Sequence, residues 1–405
     1  MAAPPKEDDY GFATKAVHCS QSPSQWNSRA IVPPITLSDT FEQEVPDAPQ
    51  EFDYSRMNNP TRQILENVIA ALEGAKYCVA VGSGQAAINM VGNAFLTPGD
   101  HVVCTQDAYS GTVLYLSDIL IPKGIEVDFI DMTNVDNVLP SLKPTTKMVW
   151  IETPSNPALK ITDIKAVTDV VTTYAQGKEM NILCVADNTF ATPYCQLPLT
   201  LGVDIIVHSV SKYMAGHFDG IIGAVVTNDV VLHEKLKYYQ SYGGAIPSPF
   251  NCYMATRGIK TLPLRMNKMM ENAKAIALYL QKQAEVDFVC YPGLESDPGH
   301  EIAAKQMIGG YSGMVAFCLL GGHSHASDFL TSLKLFKVAI SLGGVNSVAE
   351  ISAVMSKKRV SKKLKEQANL TETLIRLSIG IETLEDLIFD LEQAFAAIRK
   401  TKTKT

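Results

Sequence analysis

Seven short apolar segments, separated by helix-length stretches, constrain the fold of this chain more than any other feature of its sequence. They lie at 77–81, 102–104, 127–130, 148–151, 182–186, 205–207 and 224–226. Such runs fit strands that are buried on both faces, and their alternation with helices is typical of a mostly parallel sheet. The sequence therefore predicts one large α/β region with its functional groups in the loops after the strands.

The segments on either side of this region differ from it. Residues 1–60 are rich in Pro, Ser, Gln and acidic residues and predict an extended arm. Apolar residues at helical spacing then predict a helix from Thr61 that ends at Gly74. After residue 262, a long helix, two short strands and two further helices are predicted at 266–283, 314–319, 373–378, 324–333 and 384–398. We therefore expect an arm (1–60), a large domain (61–262) and a smaller α+β domain (263–405).

The composition is that of an ordinary globular protein, with 405 residues, 46% hydrophobic residues and a net charge of −7. The negative charge argues against nucleic acid as a partner, and no apolar run approaches the ~18 residues of a membrane span. The eight cysteines are scattered without metal-ligand spacing. They predict reduced thiols in a cytoplasmic protein without a metal site.

One basic segment departs from this acidic balance. Six of the ten residues in 356–365 are Lys or Arg. Such a run fits either a nucleic-acid patch or a solvated helix or loop, and the acidic chain favours the second interpretation.

A lysine stands just after the apolar run 203–207, in the stretch His208-Ser209-Val210-Ser211-Lys212. Partial desolvation at this place makes the neutral amine of Lys212 accessible, as a Schiff-base lysine requires. An ordinary lysine that extends to water fits the stretch equally well. For the flanking His208 and His217, a structural role is favoured over a catalytic one.

Other strand ends carry groups that would suit an aldehyde-phosphate cofactor. The turn Gly82-Ser83-Gly84-Gln85 between a strand and a helix can hold a phosphate, although such turns are common. Asp187 follows the 182–186 run and can pair with a protonated pyridine nitrogen or, alternatively, cap the next helix. Tyr109 offers an aromatic face for a planar ring, and Arg56 is suited to phosphate. Together these features indicate one cofactor site around Lys212.

With these motifs, the chain resembles the Cys/Met-metabolism family of pyridoxal-phosphate enzymes, which have the aspartate aminotransferase-like fold type I. The resemblance covers nearly the whole chain, from Phe12-Ala13-Thr14 to Leu374–Gly380. Within the family, Ser24–Ala30 and Arg257–Leu262 are most similar to the eukaryotic cystathionine γ-lyases. The fold expected is a seven-stranded, mostly parallel sheet with a smaller C-terminal α+β domain.

The resemblance also implies a role for each site residue. Lys212 would bond covalently to pyridoxal 5'-phosphate and transfer protons, Asp187 would pair with the ring nitrogen, and Tyr109 would stack on the ring and can act as a base. Further cofactor contacts are implied for Gly84, Gln85, Thr189, Ser209 and Ser211, with Tyr54 and Arg56 of a neighbouring subunit. Arg376, Asn156 and Ser341 would bind the substrate α-carboxylate. A homotetramer built as a dimer of dimers is implied as well.

The reaction implied is α,γ-elimination of cystathionine to cysteine, 2-oxobutanoate and ammonia. Four departures from relatives bear on it: Ile340 in place of a glutamate, no arginine around Leu114, the turn Met355-Ser356-Lys357-Lys358, and Gln85. An apolar Ile340 favours methionine or homocysteine, because it cannot engage a charged distal group. Two other possibilities stay open. One is γ-replacement, as in cystathionine γ-synthase or O-acetylhomoserine sulfhydrylase, and the other is a homologue that binds the cofactor but is silent.

Overall fold

A seven-stranded sheet forms the centre of the computed structural model, which describes residues 9–46, 48 and 50–402. Its strands are β1 (Tyr77–Val81), β2 (His101–Thr105), β3 (Glu126–Ile130), β4 (Thr146–Glu152), β5 (Leu183–Asp187), β6 (Ile205–His208) and β7 (Gly223–Thr227). Their order is β1-β7-β6-β5-β4-β2-β3, and all pairs are parallel except those that β7 makes. The predicted strands are confirmed, each within two residues of its predicted ends.

Helices pack on both faces of this first sheet, which is why its strands are apolar throughout. The helices of this part of the chain are α1 (Phe12–His18), α2 (Pro60–Glu73), α3 (Gly84–Phe95), α4 (Ser110–Leu114), α5 (Val138–Ser141), α6 (Ile164–Gln176), α7 (Thr192–Cys195), α8 (Val230–Tyr242) and α9 (Pro249–Ile259). Helix α2 ends at Gly74, whose φ of 63° is left-handed, as predicted. Within the described residues, no helix is both long and apolar enough to cross a membrane.

A second, five-stranded sheet follows in the C-terminal part of the chain. Its strands are β8 (Val286–Cys290), β9 (Met314–Leu319), β10 (Lys337–Val338), β11 (Val348–Ile351) and β12 (Leu374–Ser378), in the order β10-β11-β12-β9-β8. The helices here are α10 (Leu262–Leu280), α11 (His300–Gln306), α12 (Gly322–Ser332), α13 (Lys362–Gln367) and α14 (Leu384–Lys402).

The sequence predicted only β9 and β12 of this second sheet. Strand β8 is largely solvent-accessible and β10 has two residues, so neither produces an apolar run. Strand β11 contains the buried charge of Glu350, which interrupts its apolar pattern. The domain boundaries at 60 and 262 stay a prediction, and residues 1–8 of the predicted arm lie outside the described residues.

Asn59 fastens the arm to the body of the protein. Its side-chain oxygen accepts hydrogen bonds from the N–H groups of Thr61 (3.0 Å) and Arg62 (3.2 Å) at the start of α2. Its amide nitrogen donates to the carbonyl oxygen of Thr36 in the arm at 3.1 Å. The side chain therefore caps the helix and holds the arm against it.

Replacing Asn59 with Ala should lower the free energy of unfolding by about 2 kcal/mol, since a buried cap and a second tether are lost together. Urea unfolding followed by circular dichroism measures the change. The control is Asp229→Ala at the N-terminus of α8, where the cap bonds are exposed and we expect a loss of about 0.5–1 kcal/mol. Equal losses in the two variants would show that the Thr36 tether contributes nothing.

Candidate active site

Lys212 lies in the loop after β6, inside a cavity of about 210 Å³ at the carboxyl ends of the parallel strands. Its ammonium nitrogen Nζ donates a hydrogen bond to Ser341 Oγ at 2.7 Å. Burial and, to a smaller extent, the nearby charge of Arg376 lower the pKa of the Lys212 amine to about 8, while the charge of Glu350 opposes the shift. Lys212 therefore points into a cavity instead of extending to water.

Two contacts fix the backbone of the Lys212 loop. The buried Arg265 donates to the carbonyl oxygens of Tyr213 at 2.6 Å and Met214 at 3.0 Å. On the other side, Gly343 approaches so closely that a Cβ there would lie 2.5 Å from the Tyr213 nitrogen, and its φ is +79°. A glycine is thus required at 343 to bring the Ser341 segment against the loop.

Asp187 ends β5 and lines the same cavity. Burial raises the pKa of its carboxyl, while the Thr189 N–H, which donates to Oδ1 at 2.9 Å, opposes that shift. The alternative role as a helix cap is not realised, because α7 begins after Ala191 without a side-chain cap. A buried carboxylate with so few partners favours binding of a cationic group.

A polar layer lies directly behind Asp187. His208 Nε2 and Glu73 Oε1 are 2.5 Å apart, and both side chains are buried. Asn188 Nδ2 donates to the same Glu73 oxygen at 3.1 Å. His217 forms a hydrogen bond through Nδ1 with the carbonyl oxygen of Ala215 at 2.7 Å. Both histidines therefore have the structural partners expected of them.

The turn between β1 and α3 forms a cradle for an anion. Ser83 caps α3 by accepting the N–H of Ala86 at 3.0 Å, and the first N–H groups of the helix, at Gly84 and Gln85, have no partner within it. A Cβ on Gly84 would lie 2.7 Å from Ser209 Cβ, so only glycine leaves this space open. The cradle and the neighbouring Lys212 fit the phosphate and the aldehyde of pyridoxal phosphate.

The remaining predicted phosphate contacts lie around this cradle. Thr189 Oγ1 accepts the N–H of Ser209 at 2.8 Å, and Gln85 Nε2 donates to Gly111 O at 3.2 Å. The Ser211 hydroxyl donates to Ile222 O at 3.0 Å and accepts from Ile222 N at 2.9 Å. The hydroxyl hydrogen of Ser211 is thus already used within the protein, and the phosphate contacts of Thr189, Gln85 and Ser211 all stay predictions.

Tyr109 borders the cavity and is 39% exposed as a residue, which fits a ring available for stacking. Its backbone N–H donates to Glu152 Oε2 at 2.7 Å, and burial raises the pKa of its hydroxyl.

The sequence did not predict Glu152 as a site residue, although it ends β4 directly beside Asp187 in the sheet. Burial and the charge of Asp187 raise the Glu152 pKa well above its usual range. Its signal in the sequence was a carboxylate directly after an apolar run.

Arg376 enters the cavity from β12 with most of its donors engaged. Nη1 donates to Asn156 Oδ1 at 2.9 Å and Nη2 to the Ser341 carbonyl oxygen at 2.8 Å. Glu350 Oε1 lies 3.1 Å from Nη2, a buried ion pair that the sequence did not indicate. The buried Nε has no hydrogen-bond partner among the described residues, and it remains available to a carboxylate.

Four further residues were predicted to contact the substrate or the cofactor, and they lie at the edge of the cavity or away from it. Ile340 lines the cavity and is 61% exposed. Leu114 ends α4 half-buried and is not among the residues that line the cavity. Tyr54 and Arg56 lie away from the cavity of their own chain, since Tyr54 pairs with Thr40 and Arg56 Nη1 donates to Ser241 O at 2.7 Å.

One residue of the basic segment 356–365 is buried, although the sequence predicted that this segment is exposed to solvent. Lys358 and Lys362 are exposed as expected, whereas Lys357 is only 3% exposed. The prediction was wrong at this position because Lys357 turns inward to contact backbone carbonyl groups. In the described part of the chain, no cluster of three or more metal-ligating side chains occurs, and the eight cysteines are free thiols.

The lowered pKa of Lys212 predicts how fast the cofactor-free protein combines with pyridoxal phosphate. Because only the neutral amine attacks an aldehyde, the rate should rise about tenfold per pH unit below a pKa of about 8 and level off above it. Stopped-flow absorbance measures the rate. Lys212→Arg, which has no neutral form, should not react. A rate that still rises steeply at pH 10 would contradict the burial of the amine.

Comparison with known proteins supports the same cofactor chemistry. Residues 13–396 match the family model described as Cys/Met metabolism PLP-dependent enzyme. Human cystathionine gamma-lyase is 45% identical over 386 residues, covering 95% of this chain and 94% of the relative. The structure of metB from Corynebacterium glutamicum superposes with a TM-score of 0.92 at 42% identity, covering 96% and 99% of the two chains. Cystathionine gamma synthase from Xanthomonas oryzae gives 0.92 at 37% identity, covering 97% and 99%. The chain belongs to the Cys/Met-metabolism family of pyridoxal-phosphate-dependent enzymes.

Proposed function

We propose that this enzyme is a carbon–sulfur lyase of the cystathionine γ-lyase type. It cleaves cystathionine, with uptake of one water molecule, to cysteine, 2-oxobutanoate and ammonia. The observation that carries the proposal is the convergence of Lys212, Asp187 and Arg376 on one cavity. The 45% identity to human cystathionine gamma-lyase over nearly the full length of both chains supports this reaction.

Arg376 binds the substrate α-carboxylate in this proposal. Its unpartnered Nε supplies a donor, while Asn156 and the Ser341 carbonyl hold the guanidinium in place. Glu350 partly neutralises the guanidinium, so it limits how tightly a carboxylate is held. Fixing the carboxylate orients the α-carbon toward Lys212, and this orientation is the main contribution of Arg376 to catalysis.

Lys212 is the proton carrier. Pyridoxal phosphate, when bound, supplies an electron sink for the pair of electrons left at the substrate α-carbon. The Lys212 amine, with its pKa lowered by burial, takes up the α-proton of the substrate. It then delivers a proton to the next substrate atom that requires one. Ser341 Oγ, at 2.7 Å, keeps the amine beside the cavity. Asp187 provides the negative charge that pairs with the ring nitrogen.

The proposal includes a cytoplasmic homotetramer, a dimer of dimers in which each arm completes a neighbouring site. Tyr54 and Arg56 are remote from the cavity of their own chain, and Tyr54 is 39% exposed. The Tyr54 ring is therefore accessible to a second copy, and the Arg56 guanidinium, which uses Nη1 to bind Ser241 O, carries further N–H donors for it. Sedimentation of the wild type and an Arg56→Ala variant, with a cofactor titration of each, separates assembly from phosphate binding.

A second candidate substrate class is methionine or homocysteine, and Ile340 is the observation that favours it. Its exposed apolar side chain at the cavity accommodates a thioether or thiol but offers nothing to a distal ammonium group. A γ-replacement reaction is the other candidate, favoured by the similarity to the Xanthomonas synthase. These alternatives differ in substrate and not in cofactor.

Purified enzyme should release 2-oxobutanoate from cystathionine, and Lys212→Ala should reduce the rate by at least about a thousandfold, because the covalent attachment and the proton carrier are both lost. A coupled dehydrogenase assay across cystathionine, methionine and homocysteine measures this. Faster product formation from an activated homoserine plus a thiol would instead identify a replacement enzyme. A cofactor absorbance that no sulfur amino acid changes would identify a silent homologue.

Ile340→Glu tests which distal group the cavity selects. The added carboxylate should improve kcat/KM for cystathionine about tenfold relative to methionine, since it attracts the distal ammonium group and disfavours a thioether. Ile340→Gln is the matched control for size without charge. An unchanged ratio of the two kcat/KM values would show that residue 340 does not contact the substrate.

A further inference from the structure

Lys357 connects the segment after β11, in the second-sheet region, to the loop that carries Tyr109. It follows β11 in the second-sheet region, and its Nζ donates to the Ala108 carbonyl oxygen at 2.8 Å and lies 3.4 Å from the Asp107 carbonyl oxygen. The side chain is 3% exposed. A buried ammonium is tolerated only where dipoles and opposite charges replace its water. Here the carbonyl oxygens do so, with Asp107 and Glu152 as the nearby carboxylates.

The loop that Lys357 contacts is held from its other side as well. Glu152 accepts the N–H of Tyr109 at 2.7 Å, and Ser155 Oγ donates to Asp107 Oδ2 at 2.5 Å. The two residues before Tyr109 thus contact Lys357, while Tyr109 itself contacts Glu152. Contacts on two sides therefore hold the loop that carries Tyr109.

The residue next to Lys357 contacts the substrate-binding side of the site. Ser356 Oγ donates to Glu350 Oε1 at 2.8 Å, and the same oxygen lies 3.1 Å from Arg376 Nη2. Consecutive residues therefore contact the partner of Arg376 and the loop of Tyr109. The two contacts are thus made by adjacent residues, whose Cα atoms are about 3.8 Å apart.

We propose that Lys357 is a positioning residue, which holds the Tyr109 ring at a fixed place relative to Arg376 through its buried contacts with the Asp107–Ala108 carbonyls. The sequence alone pointed toward a solvated lysine here. The inference rests on the stacking role of Tyr109 in the proposed function, and it adds a residue of the second-sheet region that acts on the cofactor pocket from outside its lining.

Lys357→Met removes the charge and the donors while keeping a long side chain. The affinity for pyridoxal phosphate should fall about tenfold, the visible circular dichroism of the bound cofactor should weaken, and kcat should fall about 10- to 100-fold with KM changed less than about threefold. Fluorescence titration of the cofactor-free protein measures the affinity. Lys358→Met, at the exposed neighbouring position, should match the wild type in all three measurements.

A double-mutant cycle with Tyr109→Ala shows whether Lys357 acts through the Tyr109 ring. In the Tyr109→Ala background, Lys357→Met should cost no further cofactor affinity, whereas additive losses would overturn the proposal. If Lys357→Met does not fold, Lys357→Gln is used instead. The proposal is overturned if Lys357→Gln alone leaves the cofactor affinity unchanged, or if its loss of affinity is additive with that of Tyr109→Ala. Cofactor binding requires no substrate, so a wild type inactive on cystathionine would refute the proposed function and leave this test valid.

Discussion

The hydrogen bond between Lys212 Nζ and Ser341 Oγ is the contact on which the rest of the site depends. It joins the loop after β6 of the first sheet to the segment before β11 in the second-sheet region, 129 residues further along the chain. The close approach needs Gly343, and the loop needs the buried Arg265. This closure removes water from the amine and lowers its pKa, so the nucleophile results from the packing of the two sheets.

The same exclusion of water makes the carboxylates of the site costly. Asp187 and Glu152 end neighbouring strands side by side, and burial raises the pKa of each. Cationic partners offset this cost, and the protein itself supplies Lys357 near Glu152. The charge of His208 and the hydrogen bonds from Thr189 oppose the effect of burial on the pKa of Asp187, whose carboxyl lines the cavity. A buried carboxylate at this place is what the proposed pairing with a protonated ring nitrogen requires.

The first sheet was predictable because each strand is apolar on both faces, which produces a continuous run in the sequence. Lys212 and Asp187 were predictable as polar residues directly after such runs. Glu152 also directly follows an apolar run, but only Asn156, which lies between two prolines in the same segment, was predicted as a site residue there. Lys357 was beyond prediction, since a lysine within a basic run gives no sign that its side chain turns inward.

The sequence by itself determined the parallel sheet, the lysine that follows β6 and the family to which the chain belongs, because these depend on local patterns and short motifs. Only the tertiary structure decided which distant groups share the cavity. The pairings of Arg376 with Glu350 and of Lys357 with the Ala108 carbonyl join residues 26 and 249 positions apart. The first pairing joins neighbouring strands of the second sheet and the other joins the two sheet regions, and no local periodicity encodes the relative position of elements that are distant in the sequence.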